Sequence, residues 1–319
     1  MSVSHVAHAG APPAHAAFAR WEPLAAALCL AQFSEPLFAA IAQSQGLDEP
    51  PGYARLFFLP AYAFLGWSMW RDRAQAWRAA RAVPLLMAML ALAAVSTLWS
   101  IDSGGTLRRS IWLALTMGFG LYLAWRYEWR ELLGVIGLAF IVLVAGSLAL
   151  GLAAPSIGRM TLEHPGAWSG LWTHKNTLGG VMALGVAACA GAALAVPERR
   201  KLFIAGALGA FALVLLSTSK TALVASMLGL VVIGAGMIMR RGPVGTIIVV
   251  AGALTASILG AAVIFLAPDL LVAALGRDLT LTGRTDIWNA AAPAVAVQPW
   301  LGSGYYACGL TDELPADCV

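Results

Sequence analysis

Hydrophobic residues fill this chain in long runs separated by short polar gaps. Crossing a hydrocarbon layer takes about 20 helical residues, and runs near that length lie at 23–42, 53–70, 84–100, 107–125, 132–153, 176–196, 202–217, 220–239 and 244–267. The pattern predicts an all-α bundle of about nine transmembrane helices. Glu35 and Pro36 interrupt the first run, and the seventh is short. Small residues such as Gly229, Gly234 and Gly236 predict close helix packing in the eighth. The chain then divides into a tail at 1–22, a transmembrane region at 23–267 with a polar loop at 154–175, and a second polar stretch at 268–319.

Composition agrees. Of 319 residues, 60% are hydrophobic and 11% charged, with mean hydropathy +0.78. Soluble domains sit nearer half apolar and a quarter charged, so a membrane protein is expected. The net charge of +4 does not point to nucleic acid, because the basic residues sit mostly in the interhelical gaps. Met1 to Glu22 lacks the short apolar core and small-residue site of a cleavable signal. His5, His8 and His15 lie in an Ala/Gly/Pro-rich stretch that reads as a disordered tail rather than a metal site. Cys29 and Cys189 fall in apolar runs and read as small hydrophobes. Cys308 and Cys318 share the polar C-terminal stretch, where a bridge is open if that stretch faces an oxidising compartment.

Orientation follows from lysine and arginine. With the N-terminus cytoplasmic, the gaps at 71–83, 126–131, 197–201 and 240–243 lie inside. They hold Arg71, Arg73, Arg78, Arg81, Arg126, Arg130, Arg199, Arg200, Lys201, Arg240 and Arg241. That is the distribution of a protein obeying the positive-inside bias, with a periplasmic C-terminal stretch. The remaining cations Arg55, Arg108, Arg109, Arg159, Lys175, Lys220, Arg277 and Arg284 fall outside and oppose the bias. Arg55 reads as a snorkelling side chain. The others gather at outer helix ends, as a shared anion site would require.

Polar groups crowd between two apolar runs at Gly158 to Gly180, where Arg159, Glu163, His164, His174, Lys175 and Asn176 sit among Trp168 and Trp172. Such density beside lipid needs water, a partner or a task. No Gly-rich phosphate loop with its lysine appears in the sequence, no HExxH and no paired Cys/His spacing, so nucleotide hydrolysis and zinc chemistry are not expected. Asp278 and Asp286 carry no signature of a magnesium pair. What remains is a cationic, aromatic-rimmed surface. Arginine forks match phosphate oxygens in pairs, and Trp168, Trp172, Trp288 and Trp300 could stack on sugars or form an interfacial belt.

Five motifs carry a resemblance. They are WSIDSGGTLRRS from Trp99 to Ser110; the pattern of Gly166, Trp168, Gly170, His174, Lys175, Asn176, Leu178 and Gly179; Ser217 to Lys220; TGRTDIW from Thr282 to Trp288; and PWLGSGY from Pro299 to Tyr305. In this order they resemble the O-antigen ligase and polysaccharide polymerase superfamily, closest to exopolysaccharide polymerases. The resemblance implies glycan transfer from an undecaprenyl-diphosphate-linked saccharide to an acceptor hydroxyl, on a glycan or a lipid A core. It implies the periplasmic face of a bacterial inner membrane, membrane lipid as surroundings, and no metal or other cofactor. The family's diphosphate-binding residues map onto Arg284 and Lys220, the latter a lysine where arginine is usual. Lys175, Arg159 and Arg108 are further candidates for that anion, His174 and Arg284 for the chemistry, and Trp168 and Trp172 for the sugar.

The family's catalytic histidine belongs to a later HN-type motif followed by further helices, which has no counterpart between His174 and Val319. The resemblance therefore implies a chain shortened at its C-terminus, and inactive if that part is required. A lipid-linked oligosaccharide transporter and a non-catalytic remnant that binds carrier lipid are the alternatives. A transporter would favour charges inside several spans, whereas here they gather at one mouth.

Overall fold

The computed structural model describes residues 21–36, 56–161, 164–266 and 299–307, with isolated positions elsewhere. The described chain is helical: α1 (Glu22–Gln32), α2 (Leu59–Arg71), α3 (Arg73–Ala82), α4 (Pro84–Val95), α5 (Ser103–Arg126), α6 (Trp129–Ala153), α7 (Lys175–Ala195), α8 (Arg200–Leu216), α9 (Lys220–Met239) and α10 (Pro243–Leu266). An isolated β-bridge joins Arg159 and Trp168.

Four of these helices are long and apolar enough to cross a membrane: α6, α7, α9 and most of α10. A fifth span is possible if α3 and α4, which meet at 92°, count as one broken crossing. Of the nine expected runs, four pass this length and hydropathy test among the described residues, or five with the broken pair. The reasons are local. α1 stops at Gln32, before Glu35, whose φ of 55° cannot continue a helix. α8 is 17 residues long, and α5 carries Arg108 and Arg109 in its second turn. The gap at 71–83, expected as a loop, contains α3, whose alanines favour helix between its arginines.

Proline opens several helices, where its missing N–H costs nothing: Pro23, Pro60 and Pro84 lie in first turns. A reciprocal capping box of Glu128 and Glu131 starts α6. The core forms where α7 packs among α6, α8 and α9, around Leu178, Met182, Val186 and Leu213. Glycines admit large neighbours at these crossings. A Cβ on Gly137 would lie 2.7 Å from the Phe203 ring, and one on Gly185 would lie 2.8 Å from Phe140. Cys29 and Cys189 are buried as small hydrophobes. Val244, Ile247, Ile248, Leu254 and Ile258 leave α10 an exposed apolar surface, as a lipid-facing helix would.

The bundle has two distinct ends. At one, the Glu22 carboxylate is 2% exposed and accepts hydrogen bonds from Arg71 at 2.9 Å, from Arg126 at 2.9 and 2.7 Å, and from the Tyr122 hydroxyl at 3.2 Å. This binds the start of α1 to the ends of α2 and α5. At the other end, the Trp172 indole donates to the Ser34 carbonyl at 2.8 Å, just past α1. The polar loop and the starts of α5, α7 and α9 lie there.

Candidate functional site

The loop between α6 and α7 is built by its own backbone. Met160 N–H donates to Ala167 O at 2.8 Å, and Gly166 N–H returns to Met160 O at 3.0 Å. The amides of Ser169 and Gly170 share the Gly158 carbonyl, both at 3.0 Å. Gly170 has φ +59°, and a Cβ there would crowd Ser147 and Leu178. Trp168 N–H donates to Leu216 O at 3.1 Å, joining the loop to the end of α8.

Trp168 and Trp172 are 7% and 6% exposed. The Trp168 ring fills the space beside Gly151, where a Cβ would lie 2.3 Å away. In this conformation both rings are packing groups beneath the loop, and neither offers an open face for a sugar. Arg159 is half-buried over Trp168, its guanidinium carbon 4.9 Å from the ring centroid, and its Nε donates to Gly151 O at 3.0 Å. That arrangement holds the cation in place while using one of its five N–H groups.

His174 is the N-cap of α7. Its Nδ1 accepts the Asn176 amide at 3.1 Å. In the neutral ring this puts the proton on Nε2, so the ring offers a donor away from the helix. His164 is exposed, its ring centroid 6.4 Å from that of His174 and nearly perpendicular to it. Lys175 opens α7. One turn further on, α7 packs against the start of α9: a Cβ on Gly179 would lie 2.8 Å from Ala222 Cβ and 2.9 Å from both Ser217 Oγ and Ser219 Cβ. The turn from Ser217 to Lys220 is tight. Thr218 has φ 53°, Ser217 Oγ donates to Val214 O at 2.7 Å, and Ser219 caps α9. Two helix N-termini, headed by Lys175 and Lys220, therefore adjoin. Each contributes about half a positive charge from its peptide dipoles.

A second group of contacts joins motifs about 200 residues apart. Ile101 N–H donates to Ser303 O at 3.1 Å, Tyr305 N–H to Ser96 Oγ at 2.9 Å, and Trp99 Nε1 to Leu301 O at 3.1 Å. Thr106 Oγ1 donates to Tyr305 O at 3.1 Å. Arg109 Nη1 donates to Tyr306 O at 2.7 Å and also contacts Asp102, while the Tyr306 ring centroid lies 5.3 Å from its guanidinium carbon. Arg108 beside it is exposed. Gly304, at φ +103°, permits this docking, because a Cβ there would lie 2.4 Å from Ser100 Oγ. Below the docked segment is an apolar cavity of about 480 Å³ lined by Met89, Leu92, Leu113, Met117, Trp300 and Tyr305. Both motifs are visible in the sequence but their contact is not, since no local signal links positions so far apart.

The structure thus places Arg159, His164, His174, Lys175 and Lys220 on one connected piece of the site end, and Arg108 and Arg109 with the docked segment. Arg284, Glu163, Arg277, Arg55, Trp288, Cys308 and Cys318 lie outside the described residues, as do Asp278, Asp286 and the histidines of the N-terminal tail. Among the described residues no group of three His, Cys, Asp or Glu could hold a metal ion.

Comparison with known families gives one finding. The O-antigen ligase family matches residues 205–315, a segment that includes three of the five motifs: Ser217–Lys220, Thr282–Trp288 and Pro299–Tyr305. The chain is similar to that family over this segment, as its motifs indicate. Neither a curated protein nor a solved structure matches it.

Proposed function

We propose that this membrane protein transfers a glycan from an undecaprenyl-diphosphate-linked saccharide to an acceptor hydroxyl, at the periplasmic face of a bacterial inner membrane, without metal or nucleotide. The observation that carries the reading is the junction of α7 and α9. Lys175 and Lys220 there head adjacent helices, beside the loop holding Arg159, and Lys220 lies inside the segment similar to O-antigen ligases. The basic gaps at the opposite end support a cytoplasmic N-terminus and the nine-span arrangement.

In the proposed reaction the acceptor oxygen attacks the anomeric carbon while the bond to the diphosphate breaks, so negative charge collects on the departing oxygens. Arg159, Lys175, Lys220 and Arg284 are fixed cations for that charge, and preplaced positive groups lower such a barrier without reorganising. His174 donates from Nε2 to the departing group. His164 is the exposed ring that takes the acceptor proton. The apolar cavity under Tyr305 suits part of the carrier's isoprenoid chain.

Glycan length in cells tests this. With protein level unchanged, Lys220→Ala and Arg284→Ala should each reduce chain growth at least tenfold, and Lys220→Arg should retain it. Normal glycan length in both alanine variants would remove these residues from the mechanism.

A further inference from the structure

A second cavity, of about 320 Å³, opens at the far end of the bundle from the glycan site. Its depth is apolar: Gly134, Leu138 and Phe203 line it, and Gly134 keeps the surface of α6 low there. Its rim is charged, with Arg130 from α6 and Arg199 from the 3-10 turn before α8. Tyr127 completes the wall, its hydroxyl 3.2 Å from that of Tyr122. From Arg130 to Leu138 is two helical turns, a depth on the order of 12 Å.

One carboxylate lines this rim and a second is bonded to it, and both are engaged. Glu131 also lines the cavity, but its Oε2 reaches back to the Glu128 amide at 3.4 Å in the capping box of α6. Glu198 is held by Arg130 Nη2. Arg199 is in no ion pair among the described residues, and Arg200 and Lys201 follow it. Trp129, 80% exposed, stands beside Arg130. An exposed tryptophan next to arginines marks headgroup depth.

We propose that this cavity is a binding site for one anionic glycerophospholipid, its phosphate at Arg199 and Arg130 and an acyl chain on the floor formed by Gly134, Leu138 and Phe203. A water-soluble anion would find polar partners only at the rim, whereas a phospholipid satisfies rim and floor together. Basic pockets between helices at the cytoplasmic side favour such lipids, because the surface potential of that leaflet adds to the local charge. The site is separate from the glycan-transfer surface; of the proposed function it rests only on the orientation that puts this end at the cytoplasmic leaflet, and not on the glycan chemistry.

The full chain in phosphatidylcholine nanodiscs containing a minor fraction of phosphatidylglycerol with the same acyl chains provides the test, with retained lipid counted by native mass spectrometry. Retention of phosphatidylglycerol at least fivefold above phosphatidylcholine is expected. Arg199→Gln should reduce that preference at least threefold. Glu198→Gln should raise it, by releasing Arg130. Arg241→Gln, at the same end but outside the cavity walls, should leave it unchanged. No preference between the lipids, an equal loss with Arg241→Gln, or a weaker preference with Glu198→Gln would overturn the proposal. So would displacement by soluble glycerophosphoglycerol at the concentrations at which the lipid itself competes, since that would mean the apolar floor takes no part.

Discussion

The Nδ1 of His174 holds the first turn of α7, while its Nε2 points the ring's proton elsewhere. Fold and chemistry can therefore be separated by substitution. Asn is a good N-cap, so His174→Asn should leave thermal stability within about 1 kcal/mol of the parent while reducing glycan transfer at least tenfold. Full transfer by that variant would confine His174 to capping. Glu22 is the corresponding residue at the opposite end. Burial pushes its carboxyl up, but hydrogen bonds from Arg126 and Arg71 outweigh that and hold it at about 2. With its folded value below the ordinary 4.5, its contribution to stability is full above that value and is lost as pH falls toward 2. Glu22→Gln removes the carboxylate that Arg126 and Arg71 share, while Arg71 keeps Asp72 at 2.8 Å, and should destabilise the bundle by roughly 3–5 kcal/mol at pH 7. The deficit should shrink as the pH is lowered through 4. Thermal unfolding in detergent at both pH values measures it, and an equal deficit at pH 7 and pH 3 would contradict the ionised network.

At the level of elements, unbroken apolar runs located α6, α7, α9 and α10 well, because a helix of membrane length has little choice of register or neighbour. The gap at 71–83 carries enough arginine to suggest a loop, yet alanine fills α3 between Arg73, Arg78 and Arg81 and favours helix. The contact of Trp99–Arg109 with the segment at 299–307 was not legible. It is made by backbone groups and hydroxyls with no periodic signature, across about 200 residues. Gly304 is the residue that permits it. Gly304→Val should undock the segment and speed deuterium exchange at the Ile101 and Tyr305 amides at least tenfold. Gly120→Ala, on an open face of α5, should change neither. Unaltered exchange in the valine variant would mean that the docking does not depend on the absence of a side chain.

Across the whole molecule, charge is divided between two ends with different tasks. At one end Glu22 unites three helices, and the basic gaps gather there. At the other, Arg159, Lys175 and Lys220 stand where chain polarity, helix dipoles and a rigid loop concentrate positive potential. These cations stand out in the sequence because they oppose the orientation bias. That α7 and α9 bring two of them to one junction is not legible in the sequence, since it depends on glycine-permitted packing of distant segments. Binding of an undecaprenyl diphosphate to the purified chain in nanodiscs tests this most directly. A Lys175→Gln/Lys220→Gln variant should bind at least tenfold more weakly, while affinity for the uncharged polyprenol stays the same. Equal diphosphate affinity in parent and variant would contradict the account.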